Sequence, residues 1–250
     1  MLAQQTTELL HRLKLPTMAA ALDEQRRQPE VLSLDFEDRL ALLLEREHVA
    51  REDRRLTRLL QVARLRHHAV LEDVNFRVKR GLDKAQLLRL AAGDWIAQHG
   101  VLLLTGPTGT GKSWLACALG HSACRQGYLV RYLRLPRLLP DLAIARSDGT
   151  YGKVRTQLGK ADLLILDDWG LVPIGDRERR DLLEMIEDRT GRRATLLTSQ
   201  VPVEHWHDGV GDATFGDAIM DRLVHHAHRI TLTGGSLRKL GSAATDPSPT

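Results

Sequence analysis

Residues 101–113 read VLLLTGPTGTGKS: an apolar run, a glycine-rich turn, and Lys112-Ser113 at the head of a helical segment. Gly106, Gly111, Lys112 and Ser113 satisfy G-x-x-x-x-G-K-[ST] in the strand–loop–helix setting that the pattern requires. The chemistry dictates these residue types. A triphosphate is held by converging backbone N–H groups, which needs glycines able to take positive φ. The start of the following helix adds its positive dipole end. The lysine is a point charge for the β- and γ-phosphates, and the serine hydroxyl is a ligand for Mg²⁺. Gly106, Pro107, Thr108, Gly109, Thr110, Gly111, Lys112, Ser113 and Trp114 are therefore the expected ATP-binding residues, and Lys112 also serves catalysis.

Working outward, the period of the apolar residues changes at about Gly100. Beyond it, strand-like runs at 101–105, 128–133, 162–166 and 194–198 alternate with helical segments near 112–125, 136–146, 150–159 and 177–190. Such alternation predicts an α/β fold, a parallel sheet with helices on both faces. A helix near 215–226 and a short strand at 229–232 close this part. Before it, residues 1–92 read as wholly helical: 6–15, then Pro16 to about Gln28, a break at Pro29, and a long segment from Asp35 towards Leu65 capped by Ser33 or Asp35. Asp83 caps a short helix at 84–90. The expected organisation is a helical domain over 1–92, a nucleotide-binding α/β domain over 93–240, and a tail over 241–250.

The chain has 250 residues, 42% of them hydrophobic, enough for a substantial core. It contains no run of 18 apolar residues, which excludes a helical membrane span. The amphipathic start MLAQQTTELLHRLKL lacks the apolar core of a secretory signal. Cys117 and Cys124, seven apart on the helix after the phosphate loop, read as small core residues of a reduced, cytoplasmic protein. The formal charge of +4 is carried mostly by arginine. A GC-rich genome explains that bias, and so does recognition of a polyanion; position has to decide. His205, His207, His225, His226 and His228 lack the Cys/His spacing of a structural zinc site.

Asp162–Asp168, DLLILDD, is an apolar strand ending in two acids. Ligands gather at the carboxyl ends of parallel strands, so this end is expected beside the phosphate loop. Asp167 would hold Mg²⁺ through water, and Asp168 would orient or deprotonate the attacking water. The plain alternative is a turn or cap. Thr198-Ser199-Gln200 ends the next run; Ser199 and Gln200 are both candidates to touch the γ-phosphate or the lytic water, against a simple turn before Pro202. Arg222, in the amphipathic segment 217–228, is either an arginine offered across a subunit interface or a surface salt bridge.

The loop at 106–113, the strand 163–168 followed by Trp169-Gly170, the Thr198-Ser199-Gln200 end and Asp221-Arg222-Leu223 together resemble AAA+ ATPases of the DnaC/IstB group. LLHRLKLPTM at 9–18, with Phe36-Glu37-Asp38-Arg39-Leu40, resembles the IstB-type helpers of bacterial insertion-sequence transposition. The resemblance runs to about residue 240. It implies an ATPase that binds DNA with ATP, forms homo-oligomers and assists a transposase; the alternative within the group is a DnaC-like replicative helicase loader. It implies DNA binding and self-association for the helical domain over 1–92 and ATPase activity for the domain over 93–240. It implies Ser199 or Gln200 as first sensor and Arg222 as interface finger. A full helical lid is not expected, and Arg238 is a candidate nucleotide contact. A small-molecule kinase and a nucleotide-gated scaffold are the readings from other classes.

Arg51, Arg54, Arg55 and Arg58 recur at i, i+3, i+4 and i+7, within about 100° of helix circumference. Leu56, Leu59, Leu60 and Ala63 take the other side. The stripe is expected to contact duplex DNA through phosphates and shape rather than base edges, against the alternative of a solvated charged face partly neutralised by Glu52 and Asp53.

Overall fold

A computed structural model of the chain describes residues 2–237. Its contacts divide it into two compact units, which meet in sequence between Arg58 and Leu59.

The first unit is helical. α1 (Leu2–Arg12) ends where Lys14 takes a positive φ of 59°, and α2 (Pro16–Gln25) starts with proline at its first position. Proline is tolerated there because that N–H has no intrahelical acceptor. The expected break before Pro29 is present, since α2 stops at Gln25, and by the same rule Pro29 opens a short helix, α3 (Pro29–Leu32). Of the two expected caps, Asp35 takes the role: its Oδ1 accepts from the Asp38 amide at 2.9 Å, while Ser33 Oγ donates to Glu30 O at 2.6 Å. α4 (Phe36–Ala63) then runs for 28 residues and carries the arginine stripe.

The second unit takes in residues 59–92 as well as the strands. The change of period near Gly100 marks where the sheet begins, whereas the packing boundary lies well before the expected one at about 92. The segment after α4 packs with the strand-bearing core: Asp83 caps α5 (Lys84–Ala91), and the Gln86 amide donates to Arg229 O at 3.0 Å. After α6 (Asp94–Ala97) come β1 (Val101–Thr105), α7 (Lys112–Arg125), β2 (Val130–Arg134), α8 (Leu135–Ser147), α9 (Tyr151–Lys160), β3 (Leu163–Trp169), α10 (Asp176–Arg189) and β4 (Ala194–Ser199). α11 (Trp206–Val210), α12 (Ala213–Val224) and β5 (His228–Thr231) complete it.

All strand pairings are parallel, in the order β2-β3-β4-β1-β5. Both faces of the inner strands are apolar, as burial on two sides requires. Leu103, Leu164, Leu166 and Leu197 face the core formed with α8, α10 and α12, while α7 packs on β3 and β4 from the other side. Cys117 and Cys124 are buried, unbridged core residues of α7. Residues 232–237 follow β5, and no helical lid occurs among the described residues. Arg238 and the expected tail over 241–250 lie outside them.

Candidate functional site

The phosphate loop joins β1 to α7 with Gly106, Gly109 and Gly111 all at positive φ, 140°, 84° and 94°. Glycine is required twice over. A Cβ on Gly106 would lie 2.1 Å from Leu232 O, and one on Gly109 would lie 2.3 Å from Ser236 Oγ, because residues 232–237 run across the outside of the loop. Leu237 N donates to Gly109 O at 2.9 Å. Lys112 folds back over the loop, its Nζ donating to Gly106 O at 2.6 Å and Pro107 O at 2.8 Å. Burial depresses its pKa, and Asp167 and Asp168 oppose that shift.

The two acids sit on a bulge. Leu166 pairs with Leu197 and Trp169 with Ser199, so Asp167 and Asp168 together oppose Thr198. A bulge re-aims side chains. Here Asp168 takes a left-handed φ of 66° and its carboxylate turns into a cavity of about 560 Å³, whereas Asp167 stays fully buried. Ser113 Oγ donates to Asp167 Oδ1 at 2.8 Å. Tyr132 and Thr198 also donate their hydroxyls to Asp167, and Arg66 Nη1 stands 3.9 Å from it. Burial, then the hydrogen bond and charge of Asp167, push the Tyr132 phenol far above its usual range. Arg134, at the end of β2, donates from Nε to Asp168 Oδ2 at 2.8 Å, and this partner raises its pKa.

Lys112, Ser113, Thr108, Trp114, Asp168 and Gln200 all line the one cavity. The two sensor candidates separate. Gln200 Oε1 accepts from Thr108 Oγ1 at 2.6 Å, while Ser199 is fully buried, donates to Trp169 O at 2.8 Å and accepts from Val201 N at 3.0 Å. Ser199 therefore does not reach the cavity; its hydroxyl is used to join the ends of β3 and β4. Thr198 is the polar residue that sequence reasoning passed over: it bonds Asp167 and also accepts from the Asp168 amide at 3.2 Å. The available signal was a hydroxyl at the carboxyl end of an apolar parallel strand, where ligand-binding groups gather. Arg66 and Arg80, in sequence an extension of the positive region that starts with the arginine stripe, line this cavity together with Arg134, and nothing in their local patterns separates them from surface arginines.

Arg222 lies apart from this cavity. In the single chain it donates to Ala218 O and to Glu187 Oε1, both at 2.7 Å. In the other unit, Arg51 and Arg54 each donate to Glu47 Oε1 at 3.0 Å, and Arg55 Nη1 is 3.8 Å from Glu52. Glu47, which lies on the same helical face, is a buried acid that the stripe reading overlooked. Arg58 is exposed.

The donors present fit Mg²⁺: Ser113 Oγ on the cavity wall and the buried Asp167 Oδ1 in contact with it are a hydroxyl and a carboxylate oxygen, the oxygen donors that the ion takes directly or through water. Among the described residues no group of three or more His, Cys, Asp or Glu converges as a metal cluster.

Comparison with known proteins bears on this arrangement as a whole. The family described as IstB-like ATP binding protein matches residues 8–244. A Sinorhizobium fredii protein described as an insertion-sequence ATP-binding protein, y4pL, is 53% identical over 96% of this chain and 98% of its own length. The ATP-binding protein described for insertion sequence IS1162 of Pseudomonas fluorescens is 55% identical over 81% of this chain and 88% of its length. Among solved structures, DnaI superposes with a TM-score of 0.58 at 21% identity, covering 66% of this chain and 92% of that one. DnaA bound to AMPPCP and single-stranded DNA gives 0.53 at 19%, covering 67% and 51%. At those identities the likeness concerns the fold, which is that of the AAA+ phosphate-loop proteins. With the loop, the acidic strand end and the helical N-terminal region all in place, the chain belongs to the IstB-like family of insertion-sequence ATP-binding proteins.

Proposed function

We propose that this protein is a cytoplasmic, DNA-dependent ATPase that forms homo-oligomers on duplex DNA and assists a transposase in choosing and using its target. The observation that carries the reading is the 2.8 Å bond between Ser113 Oγ and Asp167 Oδ1, with the Asp168 carboxylate turned into the same cavity. Ser113 and Asp167 would hold Mg²⁺, which when bound neutralises charge on the phosphates. Lys112 binds the β- and γ-phosphates. Asp168 accepts a hydrogen bond from the attacking water and takes its proton as the oxygen bonds to the γ-phosphorus, while the bond from that phosphorus to the bridging oxygen breaks and ADP leaves. Gln200, on the far wall beside Thr108, orients that water or the γ-phosphate. Arg222 is offered to the site of a neighbouring subunit, exchanging its Glu187 partner for the developing phosphate charge.

Insertion-sequence relatives at 53% and 55% identity favour a transposase partner over the helicase of a DnaC-like loader. Phosphate release from ATP, measured with and without duplex DNA for the wild type and Lys112→Ala, tests the reading. Turnover that rises several-fold with DNA and vanishes in Lys112→Ala supports it. Turnover indifferent to DNA but raised by a small-molecule acceptor points to a kinase instead.

A further inference from the structure

Two buried arginines make opposite use of their donors. Arg189 is 2% exposed and fully engaged: Nη1 donates to Leu158 O at 2.6 Å and Ala161 O at 3.0 Å, Nε to Thr195 Oγ1 at 3.2 Å, and Nη2 to Ala194 O. Burial pushes its pKa down to about 10, but each nitrogen has its acceptor, so it is a structural brace. Arg80 is 5% exposed and has one hydrogen bond, Nη1 to Thr110 O at 3.3 Å. It has no acidic partner among the described residues, and its Nε is buried with no acceptor. A buried donor left without an acceptor is destabilising, the more so when it carries charge.

The place of Arg80 gives the orphaned cation a purpose. It lines the nucleotide cavity beside Lys112, and its Nη1 sits 2.9 Å from where a Cβ on Gly111 would be. Its backbone is pinned rather than loose. Arg80 O accepts from Thr233 N at 2.9 Å, and a Cβ on the adjacent Gly81 would be 2.7 Å from Thr231 O. Of the other cations on the cavity wall, Arg134 is committed to Asp168 and Arg66 stands near Asp167. On this wall, among the described residues, Lys112 and Arg80 are the buried cations that bond carbonyl oxygens rather than a carboxylate, and Arg80 reaches the loop at Thr110 and Gly111. The ligand chemistry that matches such a pair is a chain of phosphates, to which guanidinium presents several N–H donors at once.

We propose that Arg80 is a phosphate-binding residue of the nucleotide site, a second buried cation that contacts the polyphosphate chain from the segment preceding β1. The proposal rests on the ATP reading of the cavity. It gives residues 64–83 a direct contact with the ligand, so that nucleotide occupancy is felt in the stretch that follows α4.

The experiment uses the full chain with Arg80→Met, which keeps the side-chain length and removes the donors. Binding of a fluorescent ATP and of inorganic tripolyphosphate is measured, together with the thermal midpoint without ligand. The expected result is a loss of at least tenfold in affinity for both ligands, with a midpoint unchanged or raised because an unsatisfied buried charge has gone. Unchanged affinity for both, or a loss for ATP with none for tripolyphosphate, overturns the proposal. Lys112→Ala separates the two failures: if it binds ATP like the wild type, the ATP reading itself is wrong, whereas loss in Lys112→Ala with none in Arg80→Met condemns only the role of Arg80. Should Arg80→Met not fold, the arginine Nε–H resonance absent from the spectrum of Arg80→Lys is followed in the wild type during tripolyphosphate addition. Movement of that resonance supports the contact, and a static resonance overturns it.

Discussion

Arg134 Nε donates to Asp168 Oδ2 at 2.8 Å, binding the end of β2 to the acid that stands on the β3 bulge. Asp168 is held in the left-handed region at φ 66°, where asparagine is also tolerated. Asp168→Asn therefore removes the charge while keeping the backbone accessible. Turnover should fall about 100-fold or more, the range for a lost general base, with ATP affinity within a few-fold of wild type. Phosphate release and fluorescent ATP binding on the same preparation check this. Because Arg134 is well exposed, loss of its partner should shift the unfolding midpoint little.

Thr198 joins both acids, donating to Asp167 and accepting from the Asp168 amide at 3.2 Å. Thr198→Val keeps the shape and leaves a buried carboxylate and an amide each short of a partner. The expected cost is about 1–3 kcal/mol in urea unfolding, most of it recovered in Thr198→Ser. A midpoint equal to wild type in Thr198→Val contradicts the assigned bonds.

Glu47 is 3% exposed. Burial raises its carboxyl pKa, but the Met18 amide and the Arg51 and Arg54 guanidiniums outweigh this and hold it below its ordinary value of 4.5. A depressed folded-state pKa contributes stability that is present above the unfolded value and lost as pH falls through the folded one. Glu47→Gln should thus be less stable than wild type at pH 7, and the gap should close as pH drops below about 4.3. Urea midpoints of the full chain between pH 7 and pH 3 read this directly; a constant gap argues against it.

That same acid divides the arginine stripe. Arg51 and Arg54 hold Glu47, so removing them disturbs the helical unit as well as any DNA contact. The cleaner variant is Arg55→Ala with Arg58→Ala. It should weaken duplex binding and lower the slope of log affinity against log salt by about 2, one for each phosphate no longer neutralised. An unchanged slope makes these two arginines a solvated surface.

The parallel sheet, the phosphate loop and the acidic strand were legible because each is written in local pattern. Val101–Thr105 and Leu163–Leu166 are apolar runs that only a doubly covered strand explains, and Gly106, Gly109 and Gly111 are demanded by positive φ. Features that depend on long-range packing were not legible. The bulge that separates Asp167 from Asp168 is a register event with β4. Ser199 and Gln200 could be told apart only once the end of β3 was in place to claim the Ser199 hydroxyl. Trp206, whose Nε1 donates to Val201 O at 2.9 Å and whose ring lies 5.2 Å from that of Trp169, anchors α11, a helix too short for any periodicity. Arg80, in sequence one basic residue among several before Gly81, becomes a buried cation only when Thr233, just after β5, pins its backbone.

The central claim is that ATP at the phosphate loop governs occupancy of duplex DNA. Its most direct test is sedimentation velocity of fluorescent duplex DNA with the full chain, with and without ATP, for the wild type and Lys112→Ala. The expected result is a large, fast-sedimenting DNA complex for the wild type with ATP, little without nucleotide, and little for Lys112→Ala in either condition. The same complex forming with and without ATP, or in Lys112→Ala as readily as in the wild type, would contradict the claim.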